Sequence, residues 1–413
     1  MIRNRRRVVV TGLGVVSPVG TSPDEFFDSL VAGRSGIRRF GDSGQVVGTV
    51  AGFDPLAHFT KAQLVGVDRV SQLALVAADY ALRDAALGKE FLAGAKAGVY
   101  FGTSIGGANA LEAGYESFLD KNRGRVPPLT VVSAMANATA AHLSIRHGIR
   151  GPVLTYSVAC ASSAVAIGEA FRAIRDGYVD IAIAGGSEAM TTPGMVEGWA
   201  AMRVLAKPDA NAPECSCRPF SKGRTGLVLG EGAAVLVLEA LETTHGRPPR
   251  IWAELAGYGV ASDASHISRP SLDGQVAALT SAIEDARLQA TDIGYINAHG
   301  TATEVGDVVE TAAIKKAFGD AAYTVPVTST KALHGHLMGA AGAIEMVASL
   351  MALNTGSIPP TCHYAGPDPE CDLDYVPNTA RTGQDIHAVL SNSFAFGGTN
   401  AVLVAKRFTQ SGA

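Results

Sequence analysis

The sequence predicts an α/β protein whose sheets are covered on both faces. Short apolar, β-branched runs alternate with longer alanine-rich runs along the whole chain. The short runs are almost continuously apolar, as strands are when both of their faces are buried. The longer runs place apolar residues at three- and four-residue intervals, the spacing of a helix with a buried face.

Taken in order, strands are expected over 8–11, 97–101, 153–158, 180–184, 233–239, 293–298, 325–329, 387–392 and 401–406. Helical spacing covers 69–85, 163–177, 273–290 and 342–356, and two of these runs end on Gly177 and Gly356. Glycine suits the left-handed turn that commonly follows a helix. A chain of 413 residues is long enough for two domains or one duplicated unit. No repeat is visible by eye, and no Pro/Ser-rich linker divides the chain. The segment GRPPR at 246–250 is the best junction, which places the halves at 1–248 and 249–413.

Composition excludes several functions. Hydrophobic residues make up 47% and charged residues 17%, with a net charge of −4, so no basic field for nucleic acid is expected. The basic, apolar start resembles a signal peptide, but Thr11, Gly12, Gly14 and Ser17 interrupt it and no A-x-A site follows. No uninterrupted apolar run of about 18 residues predicts a membrane span. Five cysteines without framework spacing favour reduced thiols and a cytoplasmic location.

The stretch TYSVACASSAVAIG places Cys160 between a strand and a helix. Such an elbow exposes a side chain at the sheet end and aims backbone N–H groups at it. A helix N-terminus favours a thiolate by only about 0.3–1 kcal/mol when exposed and up to about 2 when partly buried. One pKa unit is about 1.4 kcal/mol, so an acidic thiol also needs an imidazole nearby. A lone cysteine among small residues is ordinarily a small buried hydrophobe. Two histidines change that weighting. GYINAHGTAT ends an apolar strand in His299, and TSTKALHGHLMGAAG carries Lys331 and His336 at another strand-to-helix turn. Strand carboxyl ends are where α/β folds gather ligands, so Cys, His and His there point to nucleophilic catalysis with oxyanion stabilisation. GLGVVS from Gly12 lacks the third glycine of a dinucleotide fingerprint. Cys215–Cys217 has no partner pair at zinc-site spacing, and His334 and His336 lack the i, i+4 spacing of a zinc helix. No metal or redox cofactor is expected.

Seven motifs, VVVTGLGVVSPVG, VACASSAVAIG, AGGSEA, VLGEGAAVLVLE, NAHGTATEVGD, TSTKALHGHLMGAAG and NSFAFGGTN, together closely resemble the elongating, type II β-ketoacyl-[acyl-carrier-protein] synthases. They stand in family order from about residue 7 to 406. The resemblance implies the thiolase-like fold, a duplicated α-β-α-β-α sandwich of five layers, and a dimer, whether of two copies or with a related subunit. It implies that Cys160 takes the acyl chain and that His299 and His336 act on malonyl thioester as CO2 leaves. By the same resemblance Lys331 supports the site, Glu310 and Glu345 lie near it, and Phe396 is the gating residue whose N–H joins that of Cys160 in an oxyanion hole. The partner implied is acyl carrier protein with acyl or malonyl groups on its phosphopantetheine arm. Lys61, Arg123, Arg125 and Arg203 are the residues that alignment suggests for docking it.

The chain also departs from the family pattern. Ser221 and Thr225 replace two acidic residues, Ala395 stands where glycine is usual, and Glu304 stands where proline is common. These departures keep a polyketide or polyene pathway open beside fatty acid synthesis. A degradative thiolase would need a second cysteine near NSFAFGGTN, and none is there. Chain-length partner subunits and decarboxylase-only variants lack the nucleophile that Cys160 supplies.

Overall fold

The computed structural model describes residues 5–122, 124–244 and 250–410. Ten strands join in one hydrogen-bonded sheet, five from each half of the chain. In the first half the order from the edge inward is Val153–Tyr156, Ala97–Gly102, Ile181–Glu188, Gly232–Ala240, Val8–Val16. In the second it is Val327–Thr328, Tyr295–Asn297, Ala388–Phe394, Thr399–Lys406, Ala253–Ser262. Numbered along the chain within each half, both read third, second, fourth, fifth, first. The repeat that the eye misses in the residues is therefore plain in the topology. The halves meet through their first strands, where Val8, Val9 and Val10 pair antiparallel with Leu255, Glu254 and Ala253. The expected junction at 248/249 lies outside the described residues. The strand Ala253–Ser262, which opens the second half, was missing from the expected set.

Helices complete five layers. Arg69–Asp84 lies on the outer face of the first half, and Leu272–Ala286 with Glu304–Phe318 on that of the second. Between the two halves of this sheet, Ser162–Arg175 and Ala341–Thr355 pack on each other and on strands of both halves. A helix covered on every side needs no polar face, so Ala341–Thr355 is buried from Ala341 to Leu353. Met338–Thr355 is, among the described residues, the one stretch long and apolar enough to cross a membrane by length and composition. It forms the centre of the sandwich.

The glycines of GLGVVS serve packing. A Cβ on Gly14 would stand 1.9 Å from the Ala77 carbonyl oxygen, and one on Gly12 would stand 2.1 Å from that of Ala81. The Arg69–Asp84 helix thus rests directly on the first strand's backbone. Both obstacles are main-chain atoms, so no rotamer change can relieve them. Gly14→Ala should destabilise the fold by about 1–3 kcal/mol or more, read as a lower urea midpoint. An unchanged midpoint would mean the helix is not seated this closely.

Candidate active site

Each candidate residue follows a strand's carboxyl end. Val153–Tyr156 leads into a short 3-10 turn, Ala159–Ala161, that carries Cys160, and the helix begins at Ser162. Ala159 takes φ +48°, a left-handed backbone for a residue with a Cβ, which makes the elbow sharp. His299 follows Tyr295–Asn297, and Lys331 and His336 follow Val327–Thr328. Phe396 lies in the turn between Ala388–Phe394 and Thr399–Lys406.

The fold brings these together. One sulfur or nitrogen atom each from Cys160, His299 and His336 lies within 4.8 Å of the others. The two imidazoles meet edge to face with centroids 5.3 Å apart. The backbone N–H groups of Phe396 and of Cys160 itself point at the sulfur, which is the donor pair expected of an oxyanion hole. Lys331, fully buried, donates from Nζ to the His299 carbonyl oxygen and pairs with Glu345. Glu310 accepts from the His299 and Gly300 N–H groups, each at 2.7 Å, and from Asn392 at 3.0 Å.

The electrostatics differ from the acidic thiol that the sequence suggested. Burial pushes Cys160 up to about 11, against the opposing pull of Lys331 and the Phe396 N–H. Burial and the Lys331 charge hold His299 and His336 well below the usual imidazole range. The resting state is therefore a protonated thiol beside two neutral imidazoles. His299 Nδ1 and both ring nitrogens of His336 have no hydrogen-bond partner among the described residues. A neutral imidazole with a free nitrogen can accept the thiol proton as sulfur attacks. Burial also lifts Glu345 to about 7 despite its pairing with Lys331.

A cavity of about 430 Å³ runs from Cys160, His299 and His336 to the surface past Phe396, Thr301 and Thr303. Phe396 stacks on Trp199 at 6.1 Å and 20°. The turn that carries Phe396 is tied to the facing loop, where Asp263 accepts from Asn400 at 2.7 Å and Gly397 N–H donates to Ile267 at 2.7 Å. Within that turn the left-handed angles belong to Gly397 and Gly398, so Ala395 adds its Cβ at an ordinary backbone position.

A beta-ketoacyl synthase N-terminal domain matches residues 5–244, and the C-terminal domain of the same name matches 252–365. The chain belongs to the beta-ketoacyl synthase family. It is 42% identical over 408 residues to nodulation protein E of Rhizobium meliloti, covering 97% of this chain and 99% of that one. It is 40% identical over 411 residues to 3-oxoacyl-[acyl-carrier-protein] synthase 2 of Staphylococcus aureus, covering 98% and 99%. Among solved structures, the ishigamide ketosynthase/chain length factor superposes with a TM-score of 0.91 at 35% identity, covering 98% of this chain and 100% of that one. This synthase is accordingly a condensing enzyme of the acyltransferase type.

The remaining candidates are scattered. Arg203 lines the cavity mouth, whereas Lys61 and Arg125 are exposed and lie outside its lining. Arg123 lies outside the described residues. Ser221 is buried and accepts from the Ala365 N–H at 2.9 Å, while Thr225 lines the cavity and accepts from the Lys207 N–H at 3.0 Å. Glu304 also lines the cavity, as the first residue of its helix. Reading the sequence missed Trp199, Lys207, Arg269 and Asp307, which share the cavity. Asp307 stands inside the quoted NAHGTATEVGD motif; burial raises it to about 7, and it accepts from the Phe220 N–H at 2.7 Å. Lys207 and Arg269 are surface cations with no motif to mark them.

Replacing Lys331 by Met removes a charge that opposes imidazolium formation. The His299 and His336 titrations should then move up from the acid range toward the usual imidazole value, followed by ring-proton NMR. Unmoved titrations would show that burial alone keeps the rings neutral.

Proposed function

We propose that this synthase performs a decarboxylative Claisen condensation. An acyl chain held on Cys160 joins malonyl-[acyl carrier protein], giving 3-oxoacyl-[acyl carrier protein] and CO2 in fatty acid biosynthesis. The observation that carries this reading is the cluster of Cys160, His299 and His336 within 4.8 Å, with two backbone N–H groups aimed at the sulfur.

In the first half-reaction the Cys160 sulfur attacks the acyl thioester of the carrier. Its proton passes to a free imidazole nitrogen and then to the departing carrier thiol. The Phe396 and Cys160 N–H groups hold the tetrahedral oxyanion, and losing one such donor typically costs about 2.7–4 kcal/mol. In the second, malonyl thioester loses CO2 and the electron pair of the broken C–C bond forms an enolate. The neutral imidazoles of His299 and His336 stabilise its oxygen by N–H donation, and Lys331 adds positive potential. The enolate carbon attacks acyl-Cys160, forming the new C–C bond and expelling the cysteine as a thiolate, which takes one proton from solvent to restore the resting thiol. Glu310 fixes the His299 backbone and Glu345 balances Lys331. No redox cofactor or metal enters this scheme.

The carrier arm enters through the cavity past Phe396, with Arg203 and the neighbouring Lys207 and Arg269 at its mouth. Lys61, Arg123 and Arg125 would extend the docking surface. The five free cysteines suit a cytoplasmic enzyme, and the two halves part near residues 248 and 249. Intact-protein mass spectrometry with a panel of acyl carrier proteins tests the core of the proposal. The wild-type enzyme should gain one acyl mass at Cys160 and then release a product two carbons longer once malonyl carrier is added. Cys160→Ala should gain none; acylation that survives in that variant would sink the nucleophile assignment.

A dimer fits the surface. The strand Val153–Tyr156 ends the sheet with one side unpaired, and its Val153 and Leu154 are exposed. Exposed Tyr115, Phe118, Leu119, Val131 and Val132 lie on two helices that pack together. Apolar side chains beside an open sheet edge mark an interface. A second copy is the first reading. The likeness to the ishigamide ketosynthase/chain length factor favours an alternative, the active half of a heterodimer in a type II polyketide or polyene pathway. Sedimentation of the isolated chain should show a dimer at micromolar concentration. A monomer would instead favour the heterodimer.

A further inference from the structure

His334 is fully buried, two residues before His336, in a helix of one turn, Lys331–His334. Its ring spans that turn. Nδ1 lies 2.7 Å from the Gly335 carbonyl oxygen, and Nε2 lies 3.0 Å from Thr330 Oγ1. A carbonyl only accepts, so Nδ1 carries the proton and Nε2 accepts from the threonine hydroxyl. The ring therefore joins the residue before Lys331 to the residue before His336. Outside the ring, the Gly36 N–H and the Ser35 hydroxyl hold the Leu333 carbonyl, and Lys331 Nζ is bonded to the His299 carbonyl and Glu345, but among the described residues only backbone bonds join the two ends of the turn. The Gly335 N–H donates to the Lys331 carbonyl at 2.9 Å, and the Leu333 N–H donates to the Thr330 carbonyl at 3.0 Å. One turn is marginal on its own. Gly335 then leaves the helix at φ +74°, which turns its carbonyl toward the imidazole. Beyond it, the His336 N–H donates to Val228 at 2.6 Å, and the Gly230 N–H donates to the His336 carbonyl at 2.8 Å. The direction of the His336 ring is thus set between this backbone pairing and the Gly335 peptide.

We infer that His334 is a positioning residue that locks Lys331 and His336 in register through this neutral-imidazole bridge, and so serves the decarboxylation step selectively. The inference rests on the condensing reading above. The selectivity has a structural cause: the oxyanion-hole N–H groups for acyl transfer come from Cys160 and Phe396, and the unbonded Nδ1 of His299 can take the thiol proton, all on other elements, whereas decarboxylation uses both imidazoles. Without the ring, the Gly335 carbonyl loses that donor and the turn can relax. A displacement of about 1 Å in a catalytic group costs roughly 10²-fold in rate.

The test measures both half-reactions in the full-length enzyme: acyl transfer to Cys160 by intact mass, and CO2 release from malonyl carrier protein. His334→Ala should slow CO2 release by about 10- to 100-fold and leave the acylation rate essentially unchanged. His334→Asn, whose amide N–H can still reach the Gly335 carbonyl, should recover part of the loss. Thr330→Val should reproduce a smaller loss, and adding it to His334→Ala should cost nothing more, since the bridge is already gone. Parallel loss of both half-reactions, or none in either, would overturn the inference. If His334→Ala does not fold, Thr330→Val decides by the same split. Wild-type enzyme that acylates Cys160 but never releases CO2 would overturn the condensing reading, and this inference with it.

Discussion

A lysine with no solvent access organises this molecule. Lys331 sits at the meeting of the second half's strands with the central helix, paired with Glu345 and bonded to the His299 carbonyl. Burying a charge costs several kcal/mol, and the pair is tolerable because each member answers the other and a backbone oxygen takes a further N–H. Removing one member of such a pair costs about 3–5 kcal/mol. Lys331 and Glu345 belong to separate elements, one in a turn and one on Ala341–Thr355, so the pair also ties the site to the core. Its charge acts on Cys160, His299 and His336 alike.

That field explains the resting chemistry. Beside a buried cation two imidazoles stay neutral, and neutral imidazoles can receive the thiol proton or donate N–H bonds to an enolate. Charged ones could not accept a proton at all. The same burial that keeps them neutral keeps the thiol protonated, so the proposed reactivity of Cys160 comes from its neighbours and the two N–H groups at its sulfur. In the proposed reaction, nucleophile, bases and oxyanion donors therefore depend on dry, close packing as much as on residue type. The Trp199–Phe396 stack lines the same cavity as Cys160.

The duplicated topology supplies the frame. Each half contributes one apolar inner helix to cover its own sheet, and the two helices pack on each other and on strands of the opposite half, filling the space between them. With both inner faces covered, the strand ends of the two halves come together, and residues far apart in the chain share one pocket. Cys160 comes from the first half, and His299, Lys331, His336 and Phe396 from the second.

Much of this was legible in the residues. The alternation of runs announced α/β, and all nine expected strands overlap an observed one, by at least three residues except at Val327–Thr328, a two-residue strand that lies wholly inside its expected run. Strand ends flagged Cys160, His299, Lys331 and His336 because polar, reactive side chains there interrupt apolar runs. Their family resemblance added Phe396, Glu310 and Glu345. Other features could not be read from one dimension. Strand Ala253–Ser262 was missed because its glycines and polar residues blur the apolar signal, although its place between two other strands buries much of it. Trp199, Lys207, Arg269 and Asp307 line the cavity through contacts between distant segments, for which no local pattern exists. The sequence alone determined which chemical groups the protein owns and which elements carry them, since propensity and period are local properties. Only the tertiary structure decided their protonation, their mutual distances and the role of His334, because burial and charge are properties of neighbours in space.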